Sequence, residues 1–220
     1  MLKNLTFLAL LTAPAIAANT QLTITPTELK NKTVNLTWSE DFDLLSSWKL
    51  SFTLAIKEEA TGSIFETRKG TYANNPYLSV YLSETAILLN YKTKQNSNEV
   101  TILSCERFFE DSCNITLSFV SSQNTSKAIS EGIFTLTVNN DEETQKKSVT
   151  TTNESYLNAA ILHKYSTDTP SYNYINTHGD NFELSNIKLY QLNNLIVPEP
   201  ATATLSLVGL LSLLSRRKRK

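Results

Sequence analysis

Two cysteines, Cys105 and Cys113, stand eight residues apart around Glu106-Arg107-Phe108-Phe109-Glu110-Asp111-Ser112, and they are the chain's only thiols. In an oxidising compartment such a pair closes a small ring, to which loop-closure arguments assign on the order of 2 to 3 kcal/mol. The other chemistry open to a thiol is nucleophilic attack, which needs a histidine partner, and only folding could bring His163 or His178 there. Those two histidines lie fifteen residues apart with no Cys or carboxylate at ligand spacing, which argues against zinc and yields no metal site. Glycoside hydrolysis with retention needs two carboxylates about 5 Å apart. The nearest acidic cluster, Glu40-Asp41-Phe42-Asp43, has the spacing of a turn, and no catalytic residue is assigned. Binding chemistry is left. Tyr165, Tyr172, Asn173, Tyr174, Asn176, His178 and Asp180 set aromatic rings beside amide and carboxylate groups in one stretch, the combination that holds sugars. Tyr172, Asn173, Tyr174 and Asp180 are the candidate glycan contacts; a long loop packing its tyrosines on an edge is the competing account.

The elements that must position these groups are strands. Trp48, Leu50, Phe52, Leu54 and Ile56 alternate with Lys49, Ser51, Thr53, Ala55 and Lys57, placing five large apolar groups on one face of a ten-residue strand. The alternation recurs at Leu78, Val80 and Leu82, at Ile115, Leu117 and Phe119, and at Phe134, Leu136 and Val138. Ser63 to Thr67, Ala86 to Tyr91 and Leu184 to Leu192 are further strands. No amphipathic stretch long enough for a crossover helix intervenes, so the pattern predicts an all-β fold of two antiparallel sheets packed as a sandwich. Polar turns fit at Glu59 to Gly62, Asn74 to Pro76, Gln95 to Asn98 and Asn139 to Glu142. With only five glycines in the chain, Asn and Asp are expected at many turn positions of positive φ.

Both ends carry a different signature. Met1 to Asn4 is short and cationic, Leu5 to Leu11 is apolar, and after Pro14 the run Ala15-Ile16-Ala17 has small residues at Ala15 and Ala17, as a signal peptidase site requires. At the far end, Pro198, Glu199 and Pro200 precede an apolar run from Ala201 to Ser215 and the cations Arg216, Arg217, Lys218, Arg219 and Lys220. As a helix that run would be about 22 Å long, short for a hydrocarbon core of roughly 30 Å, with its basic end kept on the cytoplasmic side. The chain has 20 Lys and Arg against 21 Asp and Glu; without Lys3 and the five terminal cations, 14 basic residues face 20 acidic ones between Asn19 and Val197, a body charge of about −6. An acidic body argues against nucleic acid as a partner. Five sequons, at Asn31, Asn35, Asn114, Asn124 and Asn153, read as chance in an Asn/Thr-rich chain.

The tripartite end from Val197 to Lys220 resembles the PEP-CTERM sorting signal of bacterial exosortase substrates. The resemblance implies cleavage near Pro198 to Pro200 by an exosortase-type membrane protease and delivery of the body to the cell surface or an extracellular matrix. The order of strands, from Trp48-Lys49-Leu50-Ser51-Phe52-Thr53 through Asn114-Ile115-Thr116-Leu117-Ser118-Phe119 and Phe134-Thr135-Leu136-Thr137-Val138-Asn139-Asn140 to Gly179-Asp180-Asn181-Phe182-Glu183-Leu184-Ser185-Asn186-Ile187-Lys188-Leu189-Tyr190, resembles the concanavalin A-like, laminin-G-like jelly roll. That resemblance implies carbohydrate as a ligand class and allows calcium, with Asp180 and Asn181 or Asp141 and Asn139 as oxygen ligands; turn formation explains the same residues. The Glu-x-Asp-x-x-Glu strand pattern of the fold's glucanase branch is absent.

The resulting expectation is a signal peptide over 1–18, a β-sandwich over 19–196 and a sorting signal over 197–220. The chain reads as an exported, non-catalytic surface or matrix protein whose sandwich binds polysaccharide, with signal peptidase, an exosortase-type protease and, before processing, the membrane as partners. No cofactor other than calcium is implied. A purely structural envelope component with no small ligand is the alternative, and a glycoside hydrolase of the same fold the third reading.

Overall fold

The computed structural model describes residues 20–23, 27–29, 33–41, 44–57, 59–69, 76–93, 98–122, 129–164, 171–176 and 181–193. Sheet I has six strands in the order β1 (Thr20–Leu22), β15 (Phe182–Gln191), β5 (Trp48–Ile56), β10 (Ser112–Ser121), β11 (Gly132–Asn139) and β12 (Thr144–Thr151). Sheet II has seven: β2 (Thr27–Leu29), β3 (Thr33–Asn35), β14 (Ser171–Asn176), β6 (Gly62–Lys69), β7 (Tyr77–Leu82), β8 (Ala86–Lys92) and β9 (Val100–Glu106). A two-residue ladder joins β4 (Leu44–Leu45) to β13 (Leu162–His163), and among the described residues one short helix, α1, spans Glu154–Ala160. Every strand pair is antiparallel.

The predicted alternation is the packing pattern. Leu50, Leu117 and Leu136 are aligned across β5, β10 and β11 and fully buried, as are Trp48, Phe119 and Phe134 one row away. From sheet II, Leu78, Val80, Leu82, Ile87 and Leu89 join the same core. The outward residues of sheet I fall into matching rows, one of Tyr190, Lys49, Ser118, Thr135 and Ser148. The next holds Lys188, Ser51, Thr116, Thr137 and Lys146, and the third Ser185, Thr53, Asn114, Asn139 and Thr144.

At seven residues, α1 is too short to stand alone in water, where isolated helices below about 12–15 residues are marginal. Its ends are therefore fastened. Asn153 caps the start, its Oδ1 accepting from Ser155 N at 3.0 Å and Tyr156 N at 3.4 Å. At the finish, the Ala159 carbonyl accepts from Thr67 Oγ1 at 2.8 Å and the Ala160 carbonyl from Trp48 Nε1 at 2.7 Å. Leu157 drops from the helix into the core beside Gly132, which has space for no side chain: a Cβ there would lie 2.4 Å from Phe119 Cε2.

Several expectations are corrected. Residues 171–176 form an inner strand between β3 and β6, not a loop, because Asn173 and Ile175 take the core side opposite Thr67 and Phe65. Among the described non-glycine residues only Glu59 (φ 42°) and Asn186 (φ 53°) have positive φ. The described turn after β11 instead uses side-chain bonds: Asn140 Oδ1 accepts from Glu142 N at 3.0 Å and Glu143 N at 2.7 Å, while residues 74–75 and 95–97 of two other predicted turns lie outside the described residues. Gly62, with φ +147°, is where glycine's freedom is spent.

Cys105 and Cys113 do not pair; both thiols are free and buried. Cys105, on β9 of sheet II, donates to the Leu136 carbonyl at 3.8 Å, whereas Cys113 belongs to β10 of sheet I, four residues before Leu117, the partner of Leu136. That offset is about 13 Å along the strand, against roughly 4.4–6.8 Å between the Cα atoms of a disulfide. Burial pushes the Cys113 thiol up to about 12, with Arg107 opposing it, and pushes Cys105 upward against Lys147. Native protein should therefore take up no iodoacetamide at pH 8, and denatured protein two adducts by intact mass; an adduct on the native form would contradict the assignment. Since the folded value exceeds the unfolded one, the thiol's contribution is intact below about pH 8.5. It is lost as pH rises toward 12, by up to about 1.4 kcal/mol per pH unit.

Candidate functional site

Along β7 and β8, the residues facing away from the core alternate with Leu78, Val80, Leu82, Ile87 and Leu89, and most are polar or aromatic. Register across sheet II brings Glu66, Ser79, Asn90 and Thr101 into one row, though they are remote in sequence. Tyr77 stands opposite Lys92 on one side of that row, and Tyr81 opposite Leu88 on the other. Asn90 Nδ2 donates to Glu99 Oε2 at 2.6 Å, and Thr101 Oγ1 donates to Asn90 Oδ1 at 3.0 Å. Lys92 forms an ion pair with Glu99 and lies 5.9 Å from the Tyr77 ring centroid. Burial by itself would lower the Lys92 ammonium, but its bonds to Glu99 and Tyr77 and their charge outweigh it and hold the value above the ordinary one. Ser63 Oγ donates to Glu66 Oε1 at 2.9 Å.

Tyr77, Ser79 and Asn90 are 4%, 3% and 1% exposed although they point away from the core, while Tyr81, Glu66 and Lys92 are half-buried and Glu99 and Thr101 exposed. The groups this face offers outward are the Thr101 hydroxyl, the Glu66 and Glu99 carboxylates and the Tyr81 phenol, a set suited to hydrogen-bonding a polyol. Each carboxylate already accepts from a neighbour, Glu66 from Ser63 and Glu99 from Asn90, so both serve as acceptors.

Of the residues singled out from sequence, Tyr172, Asn173 and Tyr174 share β14, with Tyr174 paired to Glu66 of the row. Asn173 is corrected as a glycan contact: it is 2% exposed on the core side and its Nδ2 donates to the His163 carbonyl at 3.0 Å, so it ties β14 to β13. Asp180, Tyr165, Asn176's side chain and His178 lie outside the described residues, as do Ala15, Ala17, Pro198 to Pro200 and Arg216 to Lys220. Among the described residues no helix is long and apolar enough to cross a membrane.

Of the two calcium donor pairs, Asp180 with Asn181 falls partly outside the described residues, and only Asp141 with Asn139 is described. Asn139 donates through Nδ2 to Thr144, and the turn at Asn140 is closed by its own hydrogen bonds. Asp141 and Glu142 border a cleft of about 450 Å³ with Glu110 and Asp111. Among the described residues no three His, Cys, Asp or Glu side chains are grouped to hold a metal. Glu40 of the acidic cluster accepts from Thr23 N at 3.1 Å through Oε1.

No protein-family model and no curated protein matches the chain. Solved structures similar to it include a heptameric SAP-like pentraxin from Limulus polyphemus, 12% identical over 78% of this chain and 75% of that one, with a TM-score of 0.41. The exoplasmic/lumenal domain of VIP36, in a Ca2+/Man3GlcNAc-bound form, is 9% identical over 83% and 87%, with a TM-score of 0.41. Arcelin-5, a lectin-like defense protein from Phaseolus vulgaris, is 12% identical over 77% and 90%, with a TM-score of 0.36.

Proposed function

We propose that the chain is an exported, non-catalytic surface or matrix protein that holds carbohydrate on the outer face of sheet II. The observation that carries this reading is the set of accessible groups gathered by the register of sheet II, Glu66, Thr101 and Glu99 beside the half-buried ring of Tyr81, with buried Asn90 holding Thr101 and Glu99 in place. Tyr172 and Tyr174, the candidate contacts read from the sequence, belong to the neighbouring strand β14. The strand order of the two sheets supports reading the sandwich as the concanavalin A-like jelly roll that the sequence resembles. No contact in this reading runs through calcium. Export through the signal ending at Ala15-Ile16-Ala17, and sorting through Pro198-Glu199-Pro200 with loss of the basic end, rest on the sequence pattern.

Protein recovered from the cell surface tests both halves. Its intact mass should lack Arg216 to Lys220, and an intact tail would replace sorting by a simple membrane anchor. On an array of neutral glycans it should be retained, and Tyr81→Ala and Glu66→Gln should each weaken retention about tenfold, roughly 1.4 kcal/mol, without moving the denaturation midpoint. Silence across the array would leave the purely structural reading.

A further inference from the structure

The outer face of sheet I differs in charge from the rest of the body. Across its three rows stand Lys49, Lys146 and Lys188, and none of the twenty acidic residues between Asn19 and Val197. Acidic side chains begin only beyond the third row, at Glu183 and in the turn from Asp141 to Glu143. Lys188 and Lys146 end the same row four strand spacings apart, about 19 Å, with Ser51, Thr116 and Thr137 between them. Lys49 lies 4.3 Å above the Tyr190 ring, and none of the three lysines is ion-paired among the described residues. Cross-strand bonds fix the hydroxyls: Thr135 Oγ1 and Ser148 Oγ are 2.9 Å apart, and Thr53 Oγ1 donates to Asn114 Oδ1 at 2.9 Å.

We propose that this face is a second binding surface, for a linear acidic polysaccharide. The lysines pair with its carboxylates or sulfates while the rows of Ser, Thr and Asn hydrogen-bond its ring hydroxyls. Spread over about 19 Å, the cations suit a ligand with repeated, spaced charge rather than one small anion. A membrane surface fits less well. The outward apolar pair beside the first row, Val120 and Ile133, is half-buried, and the one exposed large apolar side chain among the described residues is Val100, on β9 of the other sheet, so this face offers little to insert between lipids. Nucleic acid fits less well because three cations fall short of the roughly 6–10 phosphate contacts of a typical protein–DNA interface.

The test is retention of the full chain by immobilised alginate, with neutral dextran and plasmid DNA as separate arms. Wild type should bind alginate at low salt and release it as added salt screens the charges. The variant Lys49→Gln/Lys146→Gln/Lys188→Gln should lose at least about tenfold in affinity with an unchanged denaturation midpoint. Lys57→Gln, exposed at the end of β5 and off the three rows, should bind as wild type does. The proposal is overturned if wild type ignores alginate at low salt, if the triple variant binds like wild type, if Lys57→Gln weakens binding as much, or if plasmid DNA is held as tightly. Neutral-glycan binding reads the other sheet, so its failure and the failure of this proposal are separately visible.

Discussion

Gly132→Ala should destabilise the protein by about 3 kcal/mol, the upper end of what overpacking a tight core costs. The added methyl would lie 2.4 Å from Phe119 Cε2, 2.8 Å from its Cζ and 2.7 Å from Leu157 Cδ2. Both neighbours are ends of side chains, which elsewhere could swing aside, but here neither has anywhere to go. Phe119 is wholly buried with its ring 4.8 Å from that of Phe134, and Leu157 is held by a helix fastened at both ends. For a chain of this size the cost corresponds to roughly 6–12 °C in the melting temperature. Urea denaturation checks it, and the Gly132→Ala/Leu157→Ala pair provides a cycle. Removing the leucine makes room, so the double variant should be less destabilised than the sum of the singles by at least about 0.5 kcal/mol. A loss below about 1 kcal/mol for the single variant would mean that Phe119 yields.

Trp48→Phe should cost about 2–4 kcal/mol. The indole is fully buried and its N–H is the partner of the Ala160 carbonyl, so the smaller ring leaves both an unpaired acceptor and a void. Thr67→Val, close to isosteric, tests the polar part without the void. The hydroxyl donates to the Ala159 carbonyl and accepts from Leu78 N at 3.0 Å, so its loss strands two backbone groups and should cost about 2–3 kcal/mol. Hydrogen exchange distinguishes a fastener from generic core: amides of α1 should lose protection in both variants before those of β10 and β11 do. Equal loss everywhere would make the two residues ordinary core.

The long strands were legible because each has one buried side beside polar neighbours, so apolar and polar residues alternate along most of β5, β10 and β11, from Trp48 to Leu54, Cys113 to Phe119 and Phe134 to Asn139. Where a strand lacks that contrast, the alternation vanishes. β12 reads Thr-Gln-Lys-Lys-Ser-Val-Thr-Thr because it is an edge, and its core-side positions Gln145, Lys147 and Val149 remain partly or wholly exposed. β14 reads as a loop because one of its two core-facing residues, Asn173, is an amide whose partner is a backbone carbonyl. The row on sheet II has no local signature: Glu66, Ser79, Asn90 and Thr101 meet only through the register of four strands, two of which carry bulges. The cysteines misled for the opposite reason, since closeness in sequence put them on strands of facing sheets.

The placement of β15 governs when the body can fold. This last strand lies between β5 and β1, and its Gln191 pairs with Thr20, so the chain leaves sheet I at the corner where it entered. Until residues 182–191 arrive, β5 keeps a bare hydrogen-bonding edge and Leu50 and Leu54 lack their neighbours Leu189 and Leu184. A chain threaded through a translocation pore from its N-terminus would hold that gap open until almost all of it had emerged. Completion of the sheet then waits on the slow, long-range closure of its two ends.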